Sequence, residues 1–362
     1  MGILIRNGNI LNKLKSVVLL ILILAVTQLN AQDKQLTSLE KAVKYFSENK
    51  DPEGLLELAS ALKENPASKE ALDLWINKGE KIYTAMDYKL SYYSPSSEAD
   101  NINTQKLKEI RDKVKDELKA SGMKVIRIYL VGDSTVQDYT IRSNYQTKYY
   151  PMSGWGESFQ ERLYNEDLKK IKKITDNADC AVVINKAKGG RSTRTYWEDG
   201  LWKTVYDKLE PGDMVLIQFG HNDSAKSYPD RYVDVPGFKD YLAKYIAQTR
   251  EKKAIPVLIT PVNRNYPWTG ENKLANSHDE YPEAMRQVAK KYKVMLVDLS
   301  EMSLEHFSKM GRKYVGENYF IPQGIYPNYM NKSDNTHFQI KGASELSKMI
   351  YEDMVRLSDE FK

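Results

Sequence analysis

The chain has 362 residues, a hydrophobic content of 41% and a formal net charge of +5. This length fits two or three domains, or one large α/β domain with an appendage, and the hydrophobic content excludes a disordered chain. Removal of the first 31 residues, which carry three basic and no acidic side chains, would leave a formal charge of +2. A charge so close to neutral gives no support to nucleic-acid binding.

Residues 1–31 have the pattern of a secretory signal peptide. Three basic side chains precede an unbroken apolar run, 17–26, and Ala31 is a small residue at a suitable cleavage point. The run is too short to span a bilayer, so no stable membrane insertion is expected after cleavage, with an uncleaved anchor as the main alternative. We therefore expect a secreted or periplasmic bacterial protein that is cleaved near Ala31.

Residues 32–121 are predicted to form a helical N-terminal segment. Thr37 to Glu40 have the pattern of a capping box, and Asp51-Pro52 and Asn65-Pro66 are typical of helix starts. The segment has no histidine, cysteine or glycine-rich loop. We expect it to pack, to bind a partner or to contact the substrate cleft rather than to carry catalysis.

Strand and helix patterns alternate in residues 122–362. The alternation predicts a parallel sheet with right-handed crossovers, in a three-layer α/β/α domain that is flavodoxin-like in outline. Cys180, the only cysteine, precedes an apolar run, which predicts a buried thiol and excludes an intramolecular disulfide. The predicted strands are 125–131, 181–185, 214–219, 255–260 and 294–298, and the predicted helices lie near 157–173, 238–252, 281–292 and 341–357.

Polar motifs follow the first three predicted strands, where ligands of such sheets bind. Ser134, in Gly-Asp-Ser, is expected where a helix begins, although alone it could be a plain N-cap serine. Gly190 can present its N–H to a ligand, or simply form a turn. The Asn222 amide can donate to an oxyanion, although its polar neighbours could also be a turn.

His337 is the histidine with the most constrained setting. His306 lies on a predicted helix face and His278 in a polar loop, whereas His337 follows Asp334 by three residues. Both side chains can therefore project from one face of a turn, where the carboxylate would fix the imidazole tautomer. A nucleophile, two candidate oxyanion donors and a base with its orienting carboxylate thus follow one another, and these are the groups that acyl transfer requires.

The ordered set Ser134, Gly190, Asn222 and His337 resembles the four blocks of the SGNH, or GDSL-type, hydrolase family. The resemblance covers roughly residues 124–358. The opening block reads Gly-Asp-Ser-Thr rather than Gly-Asp-Ser-Leu, and the N-terminal helical segment matches nothing in the family. Within the family, the chain most resembles the bacterial rhamnogalacturonan acetylesterases. The stretches that carry this resemblance are 131–136, 151–156, 190–192, 218–223, 260–262, 279–286 and 334–338.

The resemblance implies a secreted serine esterase that needs no cofactor and removes acetyl groups from a plant cell-wall polysaccharide, in particular rhamnogalacturonan or another pectin. Ser134, Asp334 and His337 would form the catalytic triad. The backbone N–H groups of Ser134 and Gly190 and the Asn222 amide would form the oxyanion hole. The alternatives are a lipase or thioesterase with the same triad, or a non-catalytic carbohydrate-binding protein on the same scaffold.

Substrate contacts are less well specified by the sequence. Arg191 and Arg194 could meet a uronate carboxylate or brace their own loop. No metal site is expected, because the acidic and histidine side chains of these motifs lack metal-ligand spacing. The candidates for sugar contact are Trp155, Arg191, His221 and His278. Four tryptophans could each stack on sugar rings or pack in the core or at its rim: Trp155, Trp197, Trp202 and Trp268.

Overall fold

The computed structural model describes residues 36–92 and 98–360. The predicted signal peptide, 1–31, lies outside the described residues. The chain divides into two compact units between Gly122 and Met123. Within the two described ranges, no helix is both long enough and apolar enough to cross a membrane.

The N-terminal unit is helical, as its sequence pattern predicts. The capping box at its start is present: the Thr37 hydroxyl accepts from the Glu40 N–H (3.2 Å), and the Glu40 carboxylate accepts from the Thr37 N–H (2.8 Å). Leu55, Leu58 and Leu62 are fully buried. The described helices of this unit are Ser38–Ser47, Asp51–Glu64, Lys69–Leu74, Glu80–Tyr92 and Glu98–Ala120, with a π-helical turn at Trp75–Gly79.

Asn65-Pro66 predicts a helix with Asn65 as its N-cap, but the N-cap in the structure is Ser68, three residues later. The helix starts at Lys69, and the Ser68 hydroxyl accepts from the Ala71 N–H (3.3 Å). The Asn65 side chain accepts instead from the Ala67 N–H (3.2 Å). Asparagine caps short turns as readily as helices, which is why the pattern misplaced the start.

The second unit contains a five-stranded parallel sheet with the strand order β3-β1-β4-β5-β8. Every residue of β3 and β4 is buried, as expected of strands that helices cover on both faces. The predicted α/β class and its five parallel strands are confirmed, and Cys180 is buried as predicted. The described strands are β1 (Val125–Gly132), β2 (Met152–Ser153), β3 (Cys180–Asn185), β4 (Met214–Gln218), β5 (Ile255–Ile259), β6 (Trp268–Gly270), β7 (Lys273–Leu274), β8 (Met295–Val297), β9 (Phe320–Ile321) and β10 (Asp334–Gln339).

The predicted helix over 157–173 is wrong for most of its length. Two short 3₁₀ turns, Trp155–Glu157 and Phe159–Arg162, precede a helix of only five residues, Glu166–Lys170. The Gln160 side chain binds the backbone of β3, which competes with a continuous helix. The other described helices of this unit are Thr193–Glu198, Leu201–Tyr206, Val235–Glu251, Tyr281–Tyr292, Leu299–Met310, Arg312–Asn318 and Ile340–Glu360, with a π-helical turn at Tyr145–Tyr149 and a 3₁₀ turn at Pro327–Tyr329.

A small antiparallel sheet, in the order β2-β10-β9, was not predicted from the sequence. Its strands are only two to six residues long. They are too short for a period-two pattern to stand out against the neighbouring loops. Its strand β10 carries both Asp334 and His337, the residues that the sequence predicts as the orienting carboxylate and the base.

Candidate active site

Ser134 lies on a tight turn directly after β1. The turn is closed by hydrogen bonds from the backbone N–H groups of Val136 and Gln137 to the Asp133 carbonyl (3.3 and 3.2 Å). Since β1 is the second strand of the sheet and ends at Gly132, the turn projects from the carboxyl edge of the sheet, where open α/β folds bind ligands.

The prediction that a helix begins at Ser134 is wrong. Residues 135–137 pair instead with 154–156 through backbone hydrogen bonds of 2.9 to 3.2 Å. Gly154 permits this close approach, because a Cβ there would lie 2.4 Å from the Gln137 carbonyl oxygen. Backbone pairing, rather than a helix terminus, therefore fixes the chain on the far side of Ser134.

A buried series of side chains supports the turn that presents Ser134. Asp133 is fully buried, and its Oδ1 accepts from the N–H and the hydroxyl of Thr135 (both 2.9 Å). The Thr135 hydroxyl accepts from Gln218 Nε2 (2.6 Å), and Gln218 Oε1 accepts from the Trp155 indole N–H (2.9 Å). Burial raises the pKa of the Asp133 carboxyl. The two hydrogen bonds from Thr135 act in the opposite direction and lower this pKa, but the effect of burial is larger.

Ser134, His337 and Asp334 form a continuous hydrogen-bonded series. Ser134 Oγ lies 3.0 Å from His337 Nε2, and His337 Nδ1 lies 2.8 Å from Asp334 Oδ2. Residues three apart face opposite sides of a regular strand. The pairing of β10 with β9 is irregular between Asp334 and Phe338, and this irregularity lets the two side chains face each other.

The environment of Asp334 favours its ionised form. Burial alone would raise the pKa of this carboxyl, but hydrogen bonds from the His337 ring and from the backbone N–H groups of His337 and Thr336 lower it below its ordinary value of 3.8. The two backbone bonds are 2.9 and 2.8 Å long. A carboxylate held in this way can orient the imidazole and stabilise its protonated form.

Two of the predicted oxyanion donors are backbone N–H groups of residues that line the same cavity, Ser134 and Gly190. In the ranges 36–92 and 98–360, the N–H groups of Ser134 and Gly190 donate to no protein acceptor. The neighbouring Gly189 N–H, by contrast, donates to Gln137 Oε1 (2.7 Å). Gly190 has a φ of +78°, a conformation that glycine adopts without strain, and it lines the same cavity as Ser134.

Asn222 and Asp223 join the loop after β4 to the loop after β3. Asn222 Nδ2 donates to the Arg191 carbonyl (2.9 Å), which uses one of its two amide hydrogens. The fully buried Asp223 accepts from the N–H and hydroxyl of Thr193 (2.9 and 2.5 Å) and from the Gly220 N–H (3.1 Å). Burial raises the pKa of Asp223 to about 7. These bonds fix the position of the Asn222 amide relative to the loop that carries Gly190.

A cavity of about 560 Å³ surrounds the Ser134 hydroxyl. Ser134, Gly190, Asn222, Asp334 and His337 all line it, so the structure brings together the five residues that the sequence predicted for catalysis. Its other lining residues that the structure describes are Gln137, Tyr139, Arg142, Tyr149, Met152, Gly189, His221, Ala225, Tyr228, Arg231, Arg264 and Thr336.

Two of the predicted substrate contacts lie in the core. Trp155 and His278 have no exposed surface, and neither lines the cavity. Trp155 packs on Phe159 and holds Gln218, whereas His278 stacks edge-on against His221 at 4.2 Å between ring centres. A fully buried side chain cannot contact a sugar, so these two predictions are wrong.

Arg191 and His221 differ in position. Arg191 pairs with Asp199 (Nε to Oδ2, 2.6 Å) and does not line the cavity, so the structure favours a bracing role for it. His221 does line the cavity although its side chain is nearly buried. Burial lowers the pKa of His221 well below its ordinary value, so this imidazole is neutral.

Sequence reasoning missed the basic and aromatic side chains that line the cavity. Arg142, Arg231 and Arg264 all face it, together with Tyr139, Tyr149 and Tyr228. No local pattern marks these arginines, because they come from three separate loops of the chain. Only the fold brings them next to Ser134.

The second unit is similar to known proteins over most of its length. Residues 130–338, more than half of the chain, match the GDSL-like lipase/acylhydrolase family. A Bacillus subtilis protein named as a probable rhamnogalacturonan acetylesterase, YesY, is 38% identical over 224 residues, which are 62% of this chain and 89% of that protein. The B. subtilis rhamnogalacturonan acetylesterase RhgT is 33% identical over 240 residues, which are 65% of this chain and 91% of that protein.

A solved structure agrees with the fold. The crystal structure of the YxiM protein of B. subtilis has a TM-score of 0.51 and 23% identity, and covers 65% of this chain and 57% of its own. At that identity the likeness concerns the fold alone. The predicted family resemblance is confirmed by the family match and by the two relatives, and the chain therefore belongs to the GDSL-like lipase/acylhydrolase family and is a carboxylic ester hydrolase.

Proposed function

We propose that this protein is a secreted serine esterase that removes acetyl groups from a plant cell-wall polysaccharide, most specifically rhamnogalacturonan or another pectin. The observation that carries the proposal is the hydrogen-bonded series from Ser134 through His337 to Asp334 at the cavity wall. The names of the two B. subtilis relatives support the substrate class.

In the first half of the proposed reaction, Ser134 Oγ attacks the carbonyl carbon of the acetyl ester. His337 Nε2, 3.0 Å away, takes the hydroxyl proton as the new C–O bond forms, and the carbonyl π electrons move to the oxygen. When this tetrahedral intermediate collapses, the bond to the sugar oxygen breaks and His337 returns the proton to the leaving sugar hydroxyl. An acetyl group is left on Ser134.

In the second half, water replaces the serine hydroxyl as the nucleophile. His337 takes a proton from the attacking water, a second tetrahedral intermediate forms, and its collapse breaks the bond to Ser134 Oγ. His337 gives the proton back to the serine, and acetic acid leaves and ionises. Asp334 stays ionised throughout and balances the charge of the imidazolium.

The oxyanion of both intermediates would be held by the N–H groups of Ser134 and Gly190 and by the Asn222 amide. We expect Asn222→Ala to lower kcat by about 10²–10³-fold with a smaller change in KM, because this donor acts mainly on the developing negative charge. Steady-state kinetics with p-nitrophenyl acetate would measure the loss. Asn318→Ala, outside the cavity, is the matched control and should keep wild-type kcat; an Asn222→Ala enzyme with wild-type kcat would remove Asn222 from the oxyanion hole.

The chemistry of the cavity favours a short acyl group on a polar substrate over a lipid ester. Met152 and Ala225 are the only aliphatic side chains among its described lining residues, and the rest are polar, aromatic or glycine. A lipase or thioesterase would need an apolar surface for a long acyl chain. A non-catalytic sugar-binding protein, the other alternative, would not need a serine hydrogen-bonded to an oriented histidine.

The sequence supports the remaining parts of the proposal. We infer that residues 1–31 are a signal peptide that is cleaved near Ala31, that 32–121 form a helical packing or docking segment, and that 122–362 form the catalytic domain. Export is consistent with a polymeric substrate that cannot enter a cell.

The test is acetate release from acetylated rhamnogalacturonan, homogalacturonan, xylan and mannan, together with hydrolysis of p-nitrophenyl esters of increasing chain length. We expect the fastest acetate release from rhamnogalacturonan and a steep fall in rate beyond the acetyl and propionyl esters. Equal release from all four polymers would contradict the pectin assignment. Faster hydrolysis of long-chain esters would favour a lipase, and no hydrolysis of any ester would contradict the proposed function as a whole.

A further inference from the structure

The cavity around Ser134 has an excess of positive charge that ester hydrolysis does not require. Three guanidinium groups line it, those of Arg142, Arg231 and Arg264, and the single acidic side chain among its described lining residues is Asp334. Asp334 is already engaged with His337. The mechanism proposed above uses none of the three arginines, since the oxyanion has its own donors.

Of the three cavity arginines, Arg231 has the fewest contacts with residues that the structure describes. Within the described part of the chain, its guanidinium forms no ion pair and no hydrogen bond, and its Nε is buried without a partner. The group lies over the ring of Tyr228, 4.1 Å from the ring centre. Since Arg231 lines the cavity and no described residue accepts from its guanidinium, its terminal donors can bind an anionic ligand in the cavity.

The position of Arg231 is fixed by the loop that carries it. Arg194 Nη2 donates to the carbonyls of Pro229 and Asp230 (3.3 and 2.7 Å), on the N-terminal side of Arg231. The Tyr281 hydroxyl donates to the Val233 carbonyl (2.5 Å) on the other side. Arg194, a sequence candidate for carboxylate binding, therefore braces the loop that presents a different arginine.

Arg231 lies next to the proposed oxyanion hole. A Cβ added to Gly190 would lie 3.8 Å from Arg231 Nη1. An acetyl oxygen that accepts a hydrogen bond from the Gly190 N–H would lie about 3 Å from the Gly190 nitrogen. An anion bound to Arg231 is therefore within the length of one or two sugar rings of the ester that is cleaved.

Arg142 and Arg264 are held more firmly and extend the positive surface. Arg264 donates to the Thr336 hydroxyl and the His221 carbonyl (3.0 and 3.1 Å). Arg142 donates to the Tyr149 hydroxyl and to Gln137 Oε1 (3.2 and 3.3 Å). All of these acceptors are neutral, so both guanidinium groups keep their full charge toward the cavity.

We propose that Arg231, assisted by the charges of Arg142 and Arg264, forms a carboxylate-binding subsite for a uronate unit that carries the acetyl group or is its immediate neighbour. The guanidinium fork matches a carboxylate in a bidentate geometry, and the Tyr228 ring holds it in place. The subsite rests on the proposed function for its substrate, but its ligand can be tested without catalysis.

The test compares two synthetic substrates that differ only at one carbon: the methyl glycosides of mono-O-acetyl galacturonic acid and of mono-O-acetyl galactose. We expect the wild-type enzyme to have the higher kcat/KM on the acidic substrate, with a preference that weakens as salt is added. Arg231→Gln should lower kcat/KM on the acidic substrate by about 10- to 100-fold, the worth of hydrogen bonds to a charged group. Activity on the neutral substrate should change by less than about 3-fold, since that substrate has no carboxylate for Arg231 to bind.

The controls separate charge from fold. Arg231→Lys should recover part of the preference, and Arg250→Gln, which removes an equal charge from a helix outside the cavity, should change neither substrate. Equal losses on both substrates in Arg231→Gln, or a wild-type enzyme without preference for the acid, would overturn the subsite. If the Arg231→Gln variant is unstable, the substrate preference of the wild-type enzyme and its salt dependence still test the subsite.

Calorimetric titration with galacturonic acid distinguishes failure of the subsite from failure of the esterase. Wild type and Ser134→Ala should bind it with equal affinity, and Arg231→Gln should bind it at least about 10-fold more weakly. If no ester were hydrolysed but this pattern held, the proposed function would fail and the subsite would stand. Active enzyme with no Arg231-dependent binding would leave the esterase and remove the subsite.

Discussion

Replacement of Ser134 by alanine is expected to lower kcat for acetyl ester hydrolysis by at least about 10³-fold, and replacement of His337 by alanine should have an effect of the same order. Ser134 Oγ and His337 Nε2 are 3.0 Å apart, so His337 can take the serine proton as Ser134 attacks the ester, and this step needs both residues. The measurement is acetate release from acetylated rhamnogalacturonan, with p-nitrophenyl acetate as a second substrate.

The double variant Ser134→Ala/His337→Ala gives a sharper result than either single change. Because the two side chains act as one unit, the double variant should lose little more activity than each single variant. Multiplied losses would mean that the two residues act in separate steps, and the proposed series would then be wrong.

Matched substitutions outside the cavity control for general effects. Ser227→Ala removes an exposed hydroxyl, and His306→Ala removes a histidine whose Nε2 contacts the Tyr319 hydroxyl (3.0 Å) rather than the cavity. Both should keep activity within about 3-fold, because neither side chain lines the cavity. Thermal melting of all variants shows whether a loss of activity reflects unfolding.

The sequence predicts that the candidate catalytic residues lie together, because their spacing follows the fold. Ser134, Gly190 and Asn222 each come after a strand, and β1, β3 and β4 are neighbours in the sheet. The carboxyl ends of neighbouring parallel strands meet at one edge, so polar residues that follow three such strands converge. The order of strands and motifs along the chain is therefore enough to predict that they lie together, although not how each is held.

The errors concern properties that depend on contacts distant in sequence. Trp155 is a sequence candidate for sugar contact, with core packing as the alternative, and the structure shows core packing: its indole N–H donates to Gln218 on β4, 63 residues away. The predicted helix start at Ser134 failed because 135–137 pair with a glycine-containing segment that approaches closely. Local propensity carries no information about either partner.

The arginines show that the sequence also fails to predict which side chain could bind an anionic substrate. Arg191 and Arg194 lie next to the Gly190 motif and were the natural candidates for an anionic substrate, but both are engaged by acidic or carbonyl oxygens. Arg231, about forty residues along the chain, is the one that faces the cavity without a partner of its own in the described residues. The candidate catalytic groups thus follow strand ends, whereas the arginine proposed to bind the substrate lies on a loop whose path no short sequence pattern predicts.

The second large effect is expected at Asp334, whose replacement tests how the imidazole is oriented. In Asp334→Asn the amide oxygen can still accept from the backbone N–H groups of Thr336 and His337, so the fold of β10 should persist. The amide NH₂ would then face His337 Nδ1, which forces the ring proton onto Nε2. A histidine in that tautomer cannot accept the Ser134 proton.

We therefore expect Asp334→Asn to lower kcat by about 10⁴-fold near neutral pH, with little change in KM. Asp334→Ala is the comparison, because it also leaves the two backbone N–H groups without their acceptor and should lower the melting temperature more. An Asp334→Asn enzyme with more than about a tenth of wild-type kcat would exclude the orienting role.

The pH dependence of stability gives this prediction a readout that does not depend on activity. The folded-state pKa of Asp334 is lowered, so its contribution to the free energy of unfolding is present above its unfolded pKa, about 3.9, and is lost as the pH falls through the lower folded value. Asp334→Asn has no carboxyl to protonate. Its melting temperature should consequently fall less between about pH 5 and about pH 2 than that of the wild type. An equal fall in both proteins would show that the Asp334 carboxylate is not held by the hydrogen bonds that orient His337.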